Sequence, residues 1–201
     1  MHLRPAFVET DLDRMEALIS AHPFGLLVTA DGGMDASHIP FTVQRQDNTL
    51  IVMGHLAAAN PQCRLLDGGT ALAIFSGPHA YIAPGWYTTQ PSVPTWDYAA
   101  VHLHGTLEAI DEGMAAHGDM LDALAKGDPH SFDVRDLSEK YRSMMFKGIR
   151  AFRLRATRIE AQWKMSQNRS IEDRKGVIAG LQSQGLADVA ALVAETLPAE
   201  A

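Results

Sequence analysis

FSGPHAYIAPGWYTTQPSVPTWDYAAVHLHG, residues 75–105, is the stretch on which the fold turns. It holds two of the three Trp, three of the four Tyr, three of the nine His and four of the ten Pro. Proline fixes φ and removes a backbone donor. Aromatic rings supply flat apolar area, and Tyr, Trp and His add polar tips. Such a mixture reads either as a stiff, irregular wall for a flat, partly polar ligand or as a long hairpin connection packed over the core. Its far end is a strand: Val101, Leu103 and Leu107 point one way, and His102, His104, Thr106 and Glu108 the other. His102 and His104 share a face and could ligate a metal. No third ligand stands at a diagnostic spacing, so they read as polar-face residues and no metal is expected.

Working back towards the N-terminus, residues 70–75 form a strand that leads into the wall. Before it, GHLAAANPQ (54–62) passes from a strand, 50–54, into a short helix over 61–66, with Pro61 in its first turn and Asn60 as its cap. Free amides at such a helix start favour an anion; the alternative is an ordinary strand-to-helix connection. FGLLVTA (24–30) suits a buried strand, Asp31-Gly32-Gly33 a turn, and 36–43 a returning strand in which Pro40 demands an edge or a bulge. Asp47-Asn48 is the next turn. Residues 1–10 read as extended. Thr10, with Asp13 three residues on, starts a helix whose apolar face is Leu12, Met15, Leu18 and Ile19, and Pro23 stops it.

Towards the C-terminus, 111–125 is helical in composition and Gly127-Asp128-Pro129 ends it. A helix over 137–146 follows, with Leu137, Tyr141, Met144 and Met145 as expected core contacts. Phe152, Leu154 and Ala156 then alternate, and Ile159, Ala161 and Trp163 alternate in the opposite phase, which predicts a bulge near Thr157-Arg158. KMSQNR (164–169) is polar and cationic at both ends. Ser170 and Asp173 form a capping signature for a helix over 171–184. Gly185 separates it from a last helix, 187–196.

About six short strands joined mostly by turns, with helices at the ends and middle, give a mainly β chain with helices (α+β), an antiparallel barrel with helical decoration. At 201 residues this is one large domain or a domain with a small helical appendage. A net charge of −7 argues against a broad nucleic-acid surface. The one cysteine, Cys63, excludes an intrachain disulfide and a Cys-based zinc site within the chain. No run approaches the roughly 18 apolar residues of a membrane helix, and the N-terminal residues lack an apolar signal core, so a cytoplasmic, soluble protein is expected. The wall, the GHLAAANPQ turn and KMSQNR are three candidate ligand elements. A flat aromatic ligand with a phosphate tail would use all three; FMN fits, as would haem or another nucleotide.

HIPF (38–41), GHLAAANPQ (54–62), IFSGPHAYIAPGWY (74–87), VPTWDYAAVHLHG (93–105) and KMSQNR (164–169) together carry a resemblance. The chain resembles the PaiB-type, FMN-binding negative transcriptional regulator family. That resemblance implies a split β-barrel like that of pyridoxamine phosphate oxidases, working as a homodimer with FMN at the subunit interface. It implies an FMN-binding domain over 1–169 and C-terminal helices, 170–201, packed on it. Ser37, His38 and Ile39 would lie beside the isoalloxazine, and His55, Ala57 and Asn60 near the ribityl phosphate. Trp96, His102, Lys164, Gln167, Asn168 and Arg169 would complete the site, with the partner subunit as one source. The function implied is a flavin-dependent sensor or regulator; a flavin-dependent oxidoreductase or haem-handling enzyme on the same fold is the alternative. Direct DNA binding is not expected, because the last helix carries no Lys or Arg.

Overall fold

The computed structural model describes residues 1–110 and 136–198. The helix expected over 111–125 and its terminator at 127–129 lie outside them. Among the described residues, seven strands form one sheet: β1 (Phe24–Ala30), β2 (Met34–Pro40), β3 (Thr42–Gln46), β4 (Thr49–Ala57), β5 (Asp67–Ile82), β6 (Thr95–Ala109) and β7 (Ile149–Lys164). Their order is β2-β1-β5-β6-β7-β4-β3, so β2 and β3 are its edges. Four α-helices accompany them: α1 (Leu12–Ala21), α2 (Glu139–Lys147), α3 (Ile171–Ser183) and α4 (Ala187–Ala194).

The chain divides into two compact units. The central unit comprises Asp11–Phe75 and His102–Ile159; the C-terminal unit comprises Met1–Thr10, Ser76–Val101 and Glu160–Ala201.

In the central unit, the Asp31-Gly32-Gly33 turn closes the β1–β2 hairpin, with Ala30 opposite Met34 and Gly32 at φ +68°. Asp47, at φ 53°, turns β3 into β4 with Gln46 opposite Thr49. The single strand expected over 36–43 is two strands. Pro40 ends β2 at the sheet edge, where its missing donor costs nothing. Phe41 then leaves the ladder, its amide donating to Pro23 O at 2.9 Å. The freed ring fills the core, edge-on to Phe75 at 5.2 Å and to Phe152 at 6.2 Å between centroids. Leu27, Leu50, Val52, Leu103, Leu107 and Leu154 are fully buried around this group. Strand β6 alternates as its sequence predicts, with Leu103, Gly105 and Leu107 buried between half-buried neighbours. Met15, Leu18 and Ile19 of α1 are buried, and the helix is capped by Asp11, one residue later than expected, whose carboxylate accepts from Asp13 N at 2.8 Å. The apolar members of α2 do not enter the core: Tyr141, Met144 and Met145 are exposed. Burial of apolar side chains is a one-way rule, and a nine-residue helix with Glu139, Lys140, Arg142 and Lys147 among its members has little apolar face to commit.

In the C-terminal unit, the first part of the aromatic stretch is strand. Residues up to Ile82 belong to β5, and the irregular part is confined to 83–94, with a 3-10 turn at Pro84–Trp86. Strand β7, which enters this unit at Glu160, shows the expected change of phase just before it: Thr157 and Arg158 are both exposed between the buried Ala156 and Ala161. Ser170 Oγ accepts from Asp173 N at 3.1 Å and starts α3. Gly185, at φ +74°, separates α3 from α4, and Val177, Leu181, Val189 and Val193 are buried between the pair. The indole of Trp86 lies flat against Gly180, and its carbonyl against Gly176, where any Cβ would collide.

Among the described residues, no helix is long and apolar enough to cross a membrane.

Candidate functional site

The expected cofactor residues fall into two groups, one in each unit.

In the central unit, edge strand β2 carries Ser37, His38 and Ile39. Strand parity turns Ile39 inward, 8% exposed, so the main chain is what it offers a ligand. His38 is exposed and stacks on the exposed Phe24 ring, centroids 6.0 Å apart and planes 21° apart. This makes a flat, polar-tipped surface on the edge strand. Ser37 Oγ donates to Gln62 Oε1 at 2.5 Å and accepts from Asn60 Nδ2 at 3.0 Å. One lone pair on Ser37 and one Asn60 amide proton remain available. Gln62 organises this corner. It is 1% exposed, and its Nε2 is directed at Thr29 Oγ1 (3.0 Å), Leu27 O (3.3 Å) and Asp35 O (3.4 Å). It thus ties the GHLAAANPQ turn to β1 and β2. Sequence reasoning quoted Gln62 within its motif but gave it no role; a polar residue one turn into a short helix signals burial only once its neighbours are known.

The helix at that turn is a 3-10 turn of five residues, Pro61–Leu65. The expectation of free amides there is not met. Asn60 Oδ1 accepts from Gln62 N at 2.9 Å, and Cys63 N donates to Asn60 O at 3.0 Å. Upstream, Ala58 N donates to Gly148 O and Asn60 N to Ala57 O, both at 2.8 Å. Ala57, Ala58 and Ala59 are exposed, so a ligand can reach the main chain without meeting a side chain. The nearby cation is Arg150, exposed at the start of β7 opposite Leu56. Arg64 is already committed to Asp31 (3.0 Å) and Asp35 (3.5 Å). Burial pushes the Cys63 thiol up against the opposing pull of Arg150, which suits an inert cysteine rather than a nucleophile. His55 and His102 are half-buried on β4 and β6.

In the C-terminal unit, Trp96 stands 55% exposed on β6, with His79 and Tyr81 of β5 at 6.1 and 6.3 Å between ring centroids. KMSQNR is a tight turn whose polar groups brace its surroundings. Lys164 Nζ donates to Thr95 Oγ1 at 2.8 Å, to Trp96 O, and to Asp97 Oδ1 at 3.1 Å. Ser166, at φ 58°, donates from Oγ to Asp97 Oδ2 at 2.6 Å. Gln167 accepts from Met165 N at 2.7 Å and donates to Trp163 O at 2.5 Å. The Arg169 guanidinium sits over the Tyr87 ring at 4.3 Å. Asn168 is exposed. Asp97 is wholly buried, and desolvation raises its pKa above the ordinary carboxylate value despite Ser166 and Lys164. Asp173 shows the opposite behaviour. Its carboxylate accepts from Thr89 N (2.9 Å), Thr88 Oγ1 (2.8 Å) and Thr88 N (2.8 Å), which lowers its pKa to about 2 and anchors the loop after Trp86. The capping signature at Ser170 thus uses only half of the reciprocal box: the acidic side chain reaches a distant loop instead of its own helix start.

Known proteins set this geometry in context. The chain is 33% identical over 189 residues to "Protease synthase and sporulation protein PAI 2" of Bacillus subtilis (strain 168), covering 92% of this chain and 90% of that protein. Solved structures of other proteins share its fold. The FAD and heme binding protein from Mycobacterium smegmatis aligns with TM-score 0.60 and 17% identity, over 78% of this chain and 73% of that one. The flavocytochrome Anf3 from Azotobacter vinelandii aligns with TM-score 0.59 and 16% identity, over 81% and 72%. The expected fold is borne out: an α+β split β-barrel with a C-terminal helical pair. The expected PaiB-type relationship is borne out as well. The family model described as "Putative FMN-binding domain" matches residues 1–158, and the chain belongs to that FMN-binding family.

Proposed function

We propose that the protein binds FMN, the cofactor of its family, and acts as a flavin-dependent sensor or regulator. The observation that carries the reading is the β2 corner of the central unit. There Ser37, held by the buried Gln62, and Asn60 stand beside the exposed Ala57–Ala59 main chain, while the Phe24–His38 stack lies on the other face of the same edge. This corner fits a flavin: a flat ring can lie on the edge strand, Ser37 and Asn60 can meet ring or ribityl polar atoms, and Arg150 can balance a phosphate. FMN, when bound, would supply one- or two-electron redox chemistry, and these residues would orient it.

The reading includes a homodimer. The exposed His79 and Tyr81 rings form a flat aromatic surface of the kind a second copy covers. It also makes any regulatory effect indirect, since α4 carries no cation and the chain is acidic overall. The PaiB-type relationship is what supports a regulatory role.

The test is binding followed by turnover. Purified protein titrated with FMN should acquire a retained flavin spectrum and run as a dimer. It should show no sustained oxidation of reduced nicotinamide cofactors. Steady turnover would move the reading to an oxidoreductase, and a Soret band to a haem protein. DNA binding with a steep salt dependence would make it a direct repressor.

A further inference from the structure

The C-terminal unit contains a cavity, apart from the FMN corner, that Trp96 and Lys164 of the expected cofactor residues line in part. Its volume is about 450 Å³, within the size range of small-molecule sites. Phe7, Trp96 and Tyr98 supply its aromatic lining; Arg4, Gln162 and Lys164 are its long polar side chains, beside Met1, His2 and Thr95. Phe7 is buried at 3% exposure, so one wall is fixed; Trp96 is 55% exposed and forms an open, flat side.

The three polar groups differ in what they have left to give. Lys164 is neutralised by Asp97 and bonded to Thr95 and Trp96, so it closes the floor rather than attracting an anion. Arg4 is exposed, and its planar fork matches a carboxylate. Gln162 is 4% exposed; its Nε2 donates to Tyr98 Oη at 2.5 Å, while its Oε1 has no hydrogen-bond partner among the described residues. Turning the amide over exchanges the two atoms and still leaves one end without a partner. A buried amide end in this condition, lining a cavity, is a group waiting for a ligand atom. A hydroxyl satisfies it in either orientation, because a hydroxyl both donates and accepts.

We propose that this cavity binds a small hydroxylated aromatic carboxylate, its ring between Phe7 and Trp96, its carboxylate at Arg4 and its hydroxyl at Gln162. The inference rests on the FMN reading only in leaving the flavin to the central unit. The ligand would be the signal or substrate that a flavin sensor or enzyme requires.

Calorimetric titration of the full chain with 4-hydroxybenzoate, benzoate and phenol tests it, each with and without saturating FMN. The expected result is binding of 4-hydroxybenzoate at least about tenfold tighter than benzoate or phenol, since each lacks one of the two polar contacts. Arg4→Ala, at an exposed position, should weaken 4-hydroxybenzoate about tenfold and leave phenol unchanged. Gln162→Leu should weaken it similarly and leave benzoate unchanged. FMN affinity, read separately from flavin absorbance, should be the same in both variants. Equal affinity for the three probes, no binding, or displacement of 4-hydroxybenzoate by FMN would overturn the proposal. If the chain binds 4-hydroxybenzoate but not FMN, the cavity stands and the flavin reading alone fails.

Discussion

Asp97 Oδ1 lies 3.1 Å from Lys164 Nζ, and Asp97 is wholly buried. Desolvation outweighs the help of Ser166 and Lys164, so the carboxyl pKa is raised from its ordinary 3.8. The native state therefore keeps this proton to a higher pH than the unfolded chain does. Its contribution to stability falls as pH rises from 3.8 through the native pKa, and stays at the lower level above it. Asp97→Asn should remove that slope and cost little at neutral pH. Asp97→Ala removes the acceptor of Ser166 and one of three acceptors of Lys164 and should cost about 2 kcal/mol. Denaturant midpoints of the three proteins between pH 4 and 8 check this.

Asp173 has the opposite sign. Hydrogen bonds from Thr89 and Thr88 lower its pKa to about 2. Its stabilisation is complete above 3.8 and is lost as pH falls towards about 2. Wild-type protein should lose stability over that window, and Asp173→Asn should lose less there while being weaker at neutral pH. Thermal melts at pH 2.5 and pH 6 distinguish the two. Greater susceptibility of residues 83–94 to protease in the variant would confirm that this loop is what the carboxylate holds.

Gln62 joins three backbone or hydroxyl acceptors to Ser37 from a position 1% exposed. Gln62→Ala leaves Thr29 and Ser37 without that partner and should destabilise the chain by about 2 kcal/mol. It should also weaken FMN, because the Ser37–Asn60 pair loses its brace. Unfolding and flavin titration of the variant give both numbers. Unchanged flavin affinity would mean that this corner is only structural.

Gly180 faces the Trp86 indole with no room for a methyl group. Gly180→Ala should cost about 1–3 kcal/mol through overpacking. Trp86→Ala should remove most of that cost, a non-additivity that a double-mutant cycle in urea measures.

What could be read from the sequence follows from how local the determining physics is. The β1–β2 and β3–β4 hairpins were legible because Asp31-Gly32-Gly33 and Asp47-Asn48 fix their own turns. The strand β6 was legible because one face is buried and alternation must follow. Strand β5 was not: the prolines of the 75–105 stretch suggested an irregular wall, yet Pro78 lies beyond the Ala71–Ile74 span that pairs with β1, where a missing donor is tolerated. Phe41 hid the division of β2 from β3, because a core phenylalanine looks the same in a strand as between two. At the candidate site, His38 and Asn60 stand in motifs that the sequence shows and Ser37 directly before one, whereas the roles of Gln62, Asp97 and Gln162 depend on partners 25 or more residues away that no local pattern announces.

The central claim is that the β2 corner of this chain holds FMN. The most direct measurement is a visible absorption titration of the purified protein with FMN, followed by gel filtration. The account predicts a flavin spectrum that travels with the protein, shifted from that of free FMN, and about tenfold weaker binding when Ser37 or Asn60 is replaced by Ala. A protein that emerges colourless, with the FMN left in the small-molecule fraction, would contradict it.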